Sequence, residues 1–188
     1  MRIISGSYKG KKLLEPKDHN TRPLKDLTKE SIFNIIFHSN KFHVNFSNAN
    51  ILDLFSGVGS FGIECLSRGV KKVIFIEKYL GVLPILKKNL SNLSSIKNYE
   101  VIEKDIYKDS LERILNCKFD IIFLDPPYKD KNLSELFLKL KELNILNTKS
   151  IIILHRHKNE KDILPHNFQI VEEKKYGISR IYFIMFLK

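Results

Sequence analysis

The sequence predicts an α/β protein built on a doubly wound, mostly parallel β-sheet. Short apolar segments of strand length alternate with segments of helical periodicity between residues 51 and 154, as in repeated strand–helix–strand units. Two further strand-like segments, 168–174 and 180–187, flank Tyr176-Gly177. A glycine-containing turn between two such segments predicts an antiparallel hairpin at the end of the sheet.

An N-terminal extension, residues 1–46, precedes the predicted sheet, and residues 47–188 form the predicted core. Within the extension, short strands at 2–4 and 12–14 surround a turn that contains two glycines, which are suited to tight turn geometry. A helix is expected over 24–38, because its apolar residues fall near one stripe of a helix.

The core follows in the order expected of a parallel sheet. Each predicted strand is a short apolar segment, and each predicted helix lies between two strands. Gly69 is placed to end the first core helix. The strands are predicted at 51–55, 73–77, 99–103, 120–124 and 150–154, and the helices at about 60–68, 79–93, 109–116 and 133–143.

The charge of the chain points to a polyanionic partner. With 32 Lys and Arg against 21 Asp and Glu, the formal net charge is +11, and nucleic acid is the usual partner of such a protein. Residues 1–46 carry a net charge of +5, nearly half of the total on about a quarter of the chain. The alternative is a solvated, lysine-rich surface of purely compositional origin. The candidate phosphate contacts are Lys9, Lys11, Lys12 and Arg22.

Cysteine and apolar patterns predict a cytoplasmic protein without a structural metal. Cys65 and Cys117 are far apart and have no partners at the spacing of zinc ligands, so we expect free thiols in a reducing compartment. No apolar run approaches the roughly 20 residues that cross a bilayer. The first residues, Met1 to Ile4, soon give way to polar ones and do not resemble a signal peptide.

A glycine-rich loop after the first core strand predicts a nucleotide-like cofactor. Residues 57–62 match G-x-G-x-x-G, and Glu77 follows about twenty residues later at the end of the second strand. Glycines let the backbone approach a ligand closely, and a carboxylate at Glu77 could bind ribose hydroxyls. This pattern alone also fits a nicotinamide-dependent oxidoreductase.

Two further acids favour a cationic adenosine ligand instead. Asp53 lies inside the first strand, close to the glycine loop, where a carboxylate would sit badly beside a pyrophosphate. S-adenosylmethionine carries an ammonium and a sulfonium, which such a carboxylate suits. Asp105 follows the third strand, where it could accept a hydrogen bond from an adenine amino group.

A binding site for an exocyclic amine is predicted at Asp125-Pro126-Pro127-Tyr128, directly after the fourth strand. Proline ends the strand because it lacks an N–H and fixes φ. Ligands of open α/β sheets bind at this end of the strands. An exocyclic amine could donate to the Asp125 carboxylate and the Pro126 carbonyl, while the Tyr128 ring stacks on the base.

These motifs resemble the seven-stranded, Rossmann-like, S-adenosylmethionine-dependent methyltransferases that modify exocyclic amines of bases. Segments 2–13, 21–23 and 29–34 narrow the resemblance to the bacterial 16S ribosomal RNA (guanine-N2)-methyltransferase family, although Leu24 and the thin basic stretch before Glu30 depart from its pattern. The resemblance implies a monomer that methylates 16S rRNA or a small-subunit particle without a metal. It implies cofactor contacts at Asp53, Phe55, Gly57, Gly59, Glu77, Lys78, Asp105 and Ile106, catalytic residues at Asp125, Pro126, Pro127 and Tyr128, and RNA contacts at Lys9, Lys11, Lys12 and Arg22.

Some alternatives remain open from sequence. Asp-Pro-Pro-Tyr is shared with adenine-N6 enzymes acting on RNA or DNA, so the motif by itself does not name guanine. An oxidoreductase and a non-catalytic RNA-binding assembly factor are alternatives of other classes. His155-Arg156-His157 follows the fifth strand and is expected to be a solvated strand end, with phosphate contact as the alternative.

Overall fold

A seven-stranded β-sheet forms the centre of the protein in a computed structural model that describes residues 1–16, 24–112, 115–127 and 129–187. The sheet confirms the predicted mostly parallel architecture with a C-terminal antiparallel hairpin. Its strands are β1 (Asn50–Leu54), β2 (Lys72–Ile76), β3 (Tyr99–Ile102), β4 (Ile121–Leu124), β5 (Ile151–His157), β6 (Phe168–Tyr176) and β7 (Ser179–Phe186).

The strand order β3-β2-β1-β4-β5-β7-β6 places a topological switch between β1 and β4. From β1 the chain first builds outward through β2 and β3, and then returns to the other side of β1 for β4. At such a switch the two connections leave in opposite directions and open a crevice for ligands at the carboxyl ends of the strands. Asp53 lies at this position, paired in register with Phe75 of β2 and Phe123 of β4.

In the described parts of the chain, four α-helices accompany the strands: α1 (Asp26–His38), α2 (Ser60–Ser67), α3 (Leu83–Ser91) and α4 (Leu133–Glu142). A short 3₁₀ turn covers Phe46–Asn48. None of the helices in the described ranges is long and apolar enough to cross a membrane.

Two predicted helices differ from the structure. Helix α3 begins at Leu83 rather than near residue 79, because a turn closed by the Val82 N–H and the Tyr79 carbonyl (3.1 Å) comes first. The helix predicted at 109–116 is absent from its described residues, which keep one turn with a 2.8 Å bond from Leu115 N to Leu111 O. Residues 113 and 114 lie outside the described ranges.

The predicted N-terminal strands reduce to one antiparallel bridge between Arg2 and Lys12. The Ile3 N–H still donates to the Lys11 carbonyl across this hairpin at 2.9 Å. Beyond it, the Ile4 and Ser5 N–H groups donate to the Glu64 carboxylate of α2, at 2.7 and 2.9 Å. The ladder stops because these donors bind the core instead of a partner strand.

Apolar side chains cover both faces of the sheet. On one face the core includes residues of the N-terminal extension, such as Ile3, Leu13 and Phe33, packed with residues of the sheet and of α2. On the other face α4 packs through Leu136 and Leu140. The extension therefore shares a core with the sheet that it precedes.

Glu64 is the buried charge that fastens the extension to the core. Its side chain is fully buried, and it accepts from Arg68 Nε at 2.8 Å and lies 3.7 Å from Lys29 Nζ. Lys29 is buried too and donates to the Arg2 carbonyl at 2.7 Å. Burial lowers the pKa of Lys29, and the negative charge of Glu64 opposes that effect. A buried charge is tolerated only when it is paired and hydrogen-bonded in this way.

The hairpin approaches α2 so closely that only glycine fits at position 6. Gly6 has φ of +83°, and a Cβ there would lie 1.9 Å from the Ser67 carbonyl oxygen. We predict that Gly6→Ala lowers the free energy of unfolding by about 3 kcal/mol, through left-handed strain and displacement of the hairpin. Urea denaturation followed by circular dichroism measures this change.

Gly10→Ala is the matched control for this prediction. Gly10 also has a left-handed φ, +86°, but a Cβ there meets nothing within 4 Å. Gly10→Ala should lower the free energy of unfolding by only about 1 kcal/mol, because alanine is strained in the left-handed conformation. Equal losses at the two positions would contradict the close-approach explanation.

Candidate active site

The loop that follows β1 has an unusual backbone that opens a space beside the sheet. Phe55 has φ of +57°, although it is not glycine, and Gly57 and Gly59 have φ of +54° and +84°. Such a conformation in a non-glycine residue is strained and often marks a functional site. A Cβ at Gly57 would meet nothing within 4 Å, whereas one at Gly59 would lie 2.6 Å from Leu86 Cδ1. Gly57 thus borders open space, and Gly59 packs against α3.

Glu77 lies directly after β2 and holds the glycine loop in place. Its Oε2 accepts from the Gly57 N–H at 2.7 Å, and its Oε1 accepts from the N–H groups of Lys78 and Tyr79 at 2.9 and 2.8 Å. A carboxylate offers about four acceptor positions, so Glu77 keeps capacity for a further donor on Oε2. Its predicted ribose contact would therefore be combined with a structural role.

Asp53 carries its carboxylate into the interior at the switch point. The residue is 1% exposed, and its Oδ2 accepts from the Gly62 N–H in the first turn of α2 at 2.9 Å. Burial raises the pKa of Asp53 well above its usual range, the Gly62 N–H opposes this, and the nearby charges of Asp125 and Glu77 raise it further. The charges of Asp125 and Glu77 therefore reach the Asp53 carboxylate.

Asp105 lies beyond β3 at the same edge of the sheet. Its Oδ2 accepts from Lys78 Nζ and its Oδ1 from the Tyr107 N–H, both at 2.9 Å. Partial burial raises the pKa of Asp105, but the hydrogen bonds from Lys78 and Tyr107 outweigh it and leave the pKa below its usual value. Lys78 is half exposed, so a ligand could displace its ammonium at modest cost. Ile106 is buried beside them.

The acceptor motif begins where β4 ends, with Asp125 one residue beyond Leu124. The Asp125 Oδ1 lies 2.9 Å from Nδ1 of His155, and the two side chains are 19% and 7% exposed. Pro126 is buried and Pro127 is exposed. The Pro127 carbonyl accepts from the Asp130 N–H at 2.8 Å and so closes a turn after the motif. Tyr128 lies outside the described residues.

Arg156 fixes the backbone of this turn from the neighbouring strand. It is 1% exposed and donates to the carbonyls of Pro127 and Asp130 at 3.1 and 2.9 Å. Asp162 accepts two bonds from its guanidinium, at 2.8 and 2.9 Å. This fork of donors satisfies the buried charge and ties two loops together.

The expectation of a solvated end at His155-Arg156-His157 is wrong. Strand β5 runs on to His157 because β7 pairs with it as far as Ser179. His155 and Arg156 are therefore buried, at 5% and 1% exposure. The sequence showed only that polar residues directly continue an apolar strand, and the pairing with β7 decides that two of them are buried.

Tyr107 connects the loop after β1 with the turn that follows the Asp-Pro-Pro segment. Its hydroxyl donates to Asp130 Oδ2 at 2.8 Å, and its ring lies 6.1 Å from the Phe55 ring. Burial, together with the hydrogen bond to Asp130, raises the pKa of Tyr107. Sequence reasoning did not single out this tyrosine.

The predicted RNA contacts have different surroundings. Lys9 and Lys12 are exposed, as a phosphate contact requires. Lys11 is partly buried, donates to the Asn92 carbonyl and lies 5.2 Å from the Tyr8 ring centre. The Tyr8 hydroxyl is bonded to Ser95 Oγ at 2.5 Å, so this ring is held against the core. Arg22 lies outside the described residues.

The geometry fits a cationic adenosine ligand. The Glu77 carboxylate bonds the Gly57 N–H beside this open space, and the Asp53 carboxylate is buried at the end of the neighbouring strand. A positively charged ligand would offset this negative charge, whereas a pyrophosphate would add to it. No group of three or more His, Cys, Asp or Glu within the described ranges could hold a metal ion.

Comparisons with known proteins agree with this geometry. Residues 1–185 match the family described as Conserved hypothetical protein 95. Ribosomal RNA small subunit methyltransferase D of Haemophilus influenzae is 36% identical over 180 residues, which cover 95% of this chain and 90% of that protein. The Escherichia coli K12 protein of the same name is 29% identical over 178 residues, 94% and 85% of the two chains.

Solved structures extend the comparison to the fold. The Escherichia coli protein yhhF superposes with a TM-score of 0.80 at 27% identity, covering 100% of this chain and 98% of that one. SMU.776, solved in complex with SAH, superposes with a TM-score of 0.63 at 15% identity over 85% of this chain and 49% of that chain. The second likeness is one of fold alone. Because the family match spans residues 1–185, the chain belongs to the Conserved hypothetical protein 95 family, and the methyltransferase family resemblance of its motifs is confirmed.

Proposed function

We propose that the protein transfers a methyl group from S-adenosylmethionine to the exocyclic N2 amine of a guanine in 16S ribosomal RNA. The observation that carries this proposal is the position of Asp125, a partly exposed carboxylate at the carboxyl end of β4, whose charge reaches the buried Asp53. The relatives named as small-subunit rRNA methyltransferases support rRNA as the substrate. Their names do not specify the base.

The cofactor would lie between the glycine loop and the acids at the ends of β1, β2 and β3. When bound, S-adenosylmethionine supplies a methyl group activated by a sulfonium. SMU.776 shares the fold and binds SAH, the product that this cofactor leaves. Asp53 would attract the positive charge of the ligand, and Glu77 would bind its ribose. The residues that would hold the cofactor are Asp53, Phe55, Gly57, Gly59, Glu77, Lys78, Asp105 and Ile106.

The acceptor amine would lie at the Asp-Pro-Pro segment. Within the described ranges, no residue donates to Asp125 Oδ2 or to the Pro126 carbonyl, so both are able to accept an N–H of the amine. These acceptors would orient the nitrogen lone pair and stabilise the positive charge that develops on N2. Asp125 would then hold the proton that the amine releases. The Tyr128 ring would stack on the base, which is worth roughly 1–3 kcal/mol.

The N-terminal extension, residues 1–46, would contact the RNA as the target side of a monomer that works in the cytoplasm. Lys9 and Lys12 are exposed on its hairpin and can pair with phosphates. Arg22 is proposed to bind phosphate with two bonds. Lys11 would contribute charge from a fixed position, because Asn92 holds its ammonium.

Labelled S-adenosylmethionine tests the function directly. We expect label to enter 16S rRNA, either naked or in assembled small-subunit particles, and to be recovered as N2-methylguanosine after nucleoside analysis. Label in N6-methyladenosine would assign the acceptor site to adenine. No transfer to either RNA substrate would reject the proposed function.

Replacing the acceptor carboxylate should slow turnover without weakening cofactor binding. For Asp125→Asn we predict a loss of roughly 10²- to 10³-fold in kcat, because a neutral amide stabilises a cationic nitrogen much less than a carboxylate does. The dissociation constant of the cofactor, measured by calorimetry, should change less than about threefold. Asp120→Asn makes the same charge change at the start of β4, where Asp120 accepts from the Asn50 N–H at 2.8 Å. Equal loss of kcat in both variants would contradict the role of Asp125.

Glu77→Ala, in contrast to Asp125→Asn, should weaken cofactor binding. It removes the ribose acceptor and three backbone bonds that fix the glycine loop. Hydrogen bonds to a charged group contribute about 1.5–3 kcal/mol each, so cofactor affinity should fall at least about 10-fold by calorimetry. Glu103→Ala is the control, since Glu103 is an exposed acid after β3, paired only with exposed Lys87 among the described residues. Unchanged affinity in Glu77→Ala would remove Glu77 from the cofactor site.

A further inference from the structure

A buried histidine contacts the acceptor carboxylate from the neighbouring strand. In the parallel pair of β4 and β5, Leu124 is in register with Leu154. The next residue on each strand is Asp125 and His155, and their side chains meet through Oδ1 and Nδ1 at 2.9 Å. The register of the sheet therefore produces this contact, and it falls where the acceptor site is proposed.

The contact leaves the two oxygens of Asp125 in different states. Oδ1 is engaged by His155, whereas none of the described residues donates to Oδ2. A carboxylate with one anchored oxygen cannot rotate freely about its Cβ–Cγ bond, so its second oxygen keeps a fixed direction. An acceptor amine needs such a fixed oxygen if its lone pair is to be aligned for transfer.

We propose that His155 is a positioning residue for methyl transfer, in which its Nδ1–H holds Oδ1 of Asp125 and presents Oδ2 to the amine of the acceptor base. The inference rests on the proposed function, because it takes Asp125 as the amine acceptor. His155 itself does not contact the substrate and acts only through Asp125.

The charges around His155 give the arrangement a pH dependence. Burial lowers the pKa of His155, the hydrogen-bonded Asp125 outweighs it, and the pKa lies above its ordinary value of 6.5 even though Arg156 opposes protonation. From β7, the residue opposite His155 is apolar Ile181, and Arg180 stands opposite Arg156. Among the described residues, Asp125 is therefore the anion that raises the pKa of this imidazole.

The direction in which pH changes kcat follows from the net charge of the Asp125–His155 pair. Below its pKa the imidazolium neutralises Asp125, and the pair offers little negative charge to a cationic nitrogen. Above the pKa the imidazole loses its Nε2 proton and keeps Nδ1–H on Asp125, so the pair regains a net negative charge. We expect kcat of the wild-type protein to rise as the pH increases through the pKa of His155.

Two substitutions separate positioning from titration. In His155→Asn, the side-chain amide can place a donor near the position of Nδ1 but cannot titrate, so kcat should stay within about threefold of the wild-type plateau and lose its pH-dependent rise. In His155→Val, a β-branched residue fills the strand without a donor, and kcat should fall about 10- to 100-fold. KM for RNA and for cofactor should remain within about threefold in both variants. His166→Asn, at an exposed histidine, controls for loss of a histidine as such.

Nuclear magnetic resonance titration provides a test that requires no turnover. In the wild-type protein the His155 ring should titrate above pH 6.5 with its Nδ1 proton retained. Asp125→Asn removes the anion that raises the pKa of His155, whereas burial and the charge of Arg156 remain. The pKa of His155 should therefore fall below its ordinary value in this variant.

The outcomes distinguish this inference from the proposed function. A wild-type protein that methylates no RNA rejects the function, whereas the titration of His155 still reports the pair. If His155→Val keeps the wild-type kcat, the positioning role is wrong. It is also wrong if His155→Asn and His155→Val lose kcat equally while their affinity for the cofactor is unchanged. If the pKa of His155 is the same in Asp125→Asn as in the wild-type protein, the two side chains do not interact as proposed.

Discussion

Burial of the Asp53 carboxylate at the switch point of the sheet is the constraint on which the site depends. Asp53 is buried beside β2 and β4, and the charges of Asp125 and Glu77 reach it. Such a group is costly to ionise in the free protein, and the fold compensates only in part through the Gly62 N–H. A cationic ligand would offset this buried negative charge, whereas an anionic one would add to it.

The rest of the structure holds these acids in place. Glu77 spends three of its acceptor positions on backbone N–H groups, so the same residue shapes the glycine loop and borders the pocket. Helix α2 links the loop to the N-terminal extension, since Glu64 in that helix binds the hairpin backbone and pairs with Lys29 and Arg68. The N-terminal extension and the glycine loop are thereby attached to one short helix.

The Asp-Pro-Pro segment follows β4, but side chains of β5 hold it in place. His155 anchors the carboxylate of Asp125, and Arg156 anchors the carbonyl of Pro127 two residues later. Two consecutive side chains of a strand point to opposite faces, so one strand end supports both sides of the same loop. Tyr107, in the segment after β3, adds a link to the same turn through its hydrogen bond to Asp130.

The sequence by itself determined the order of the strands along the chain, the glycine loop, and the four acids at strand ends, because each depends on local periodicity or on a short motif. It also indicated the family, through motifs spread from residue 2 to residue 128. Only the tertiary structure decided that Lys29 is buried, that Tyr8 is held by Ser95, and that His155 and Arg156 support the Asp-Pro-Pro segment. These roles depend on which strands become neighbours and on how far β7 extends β5. Sheet order and register arise from packing between distant segments, and a linear pattern does not specify them.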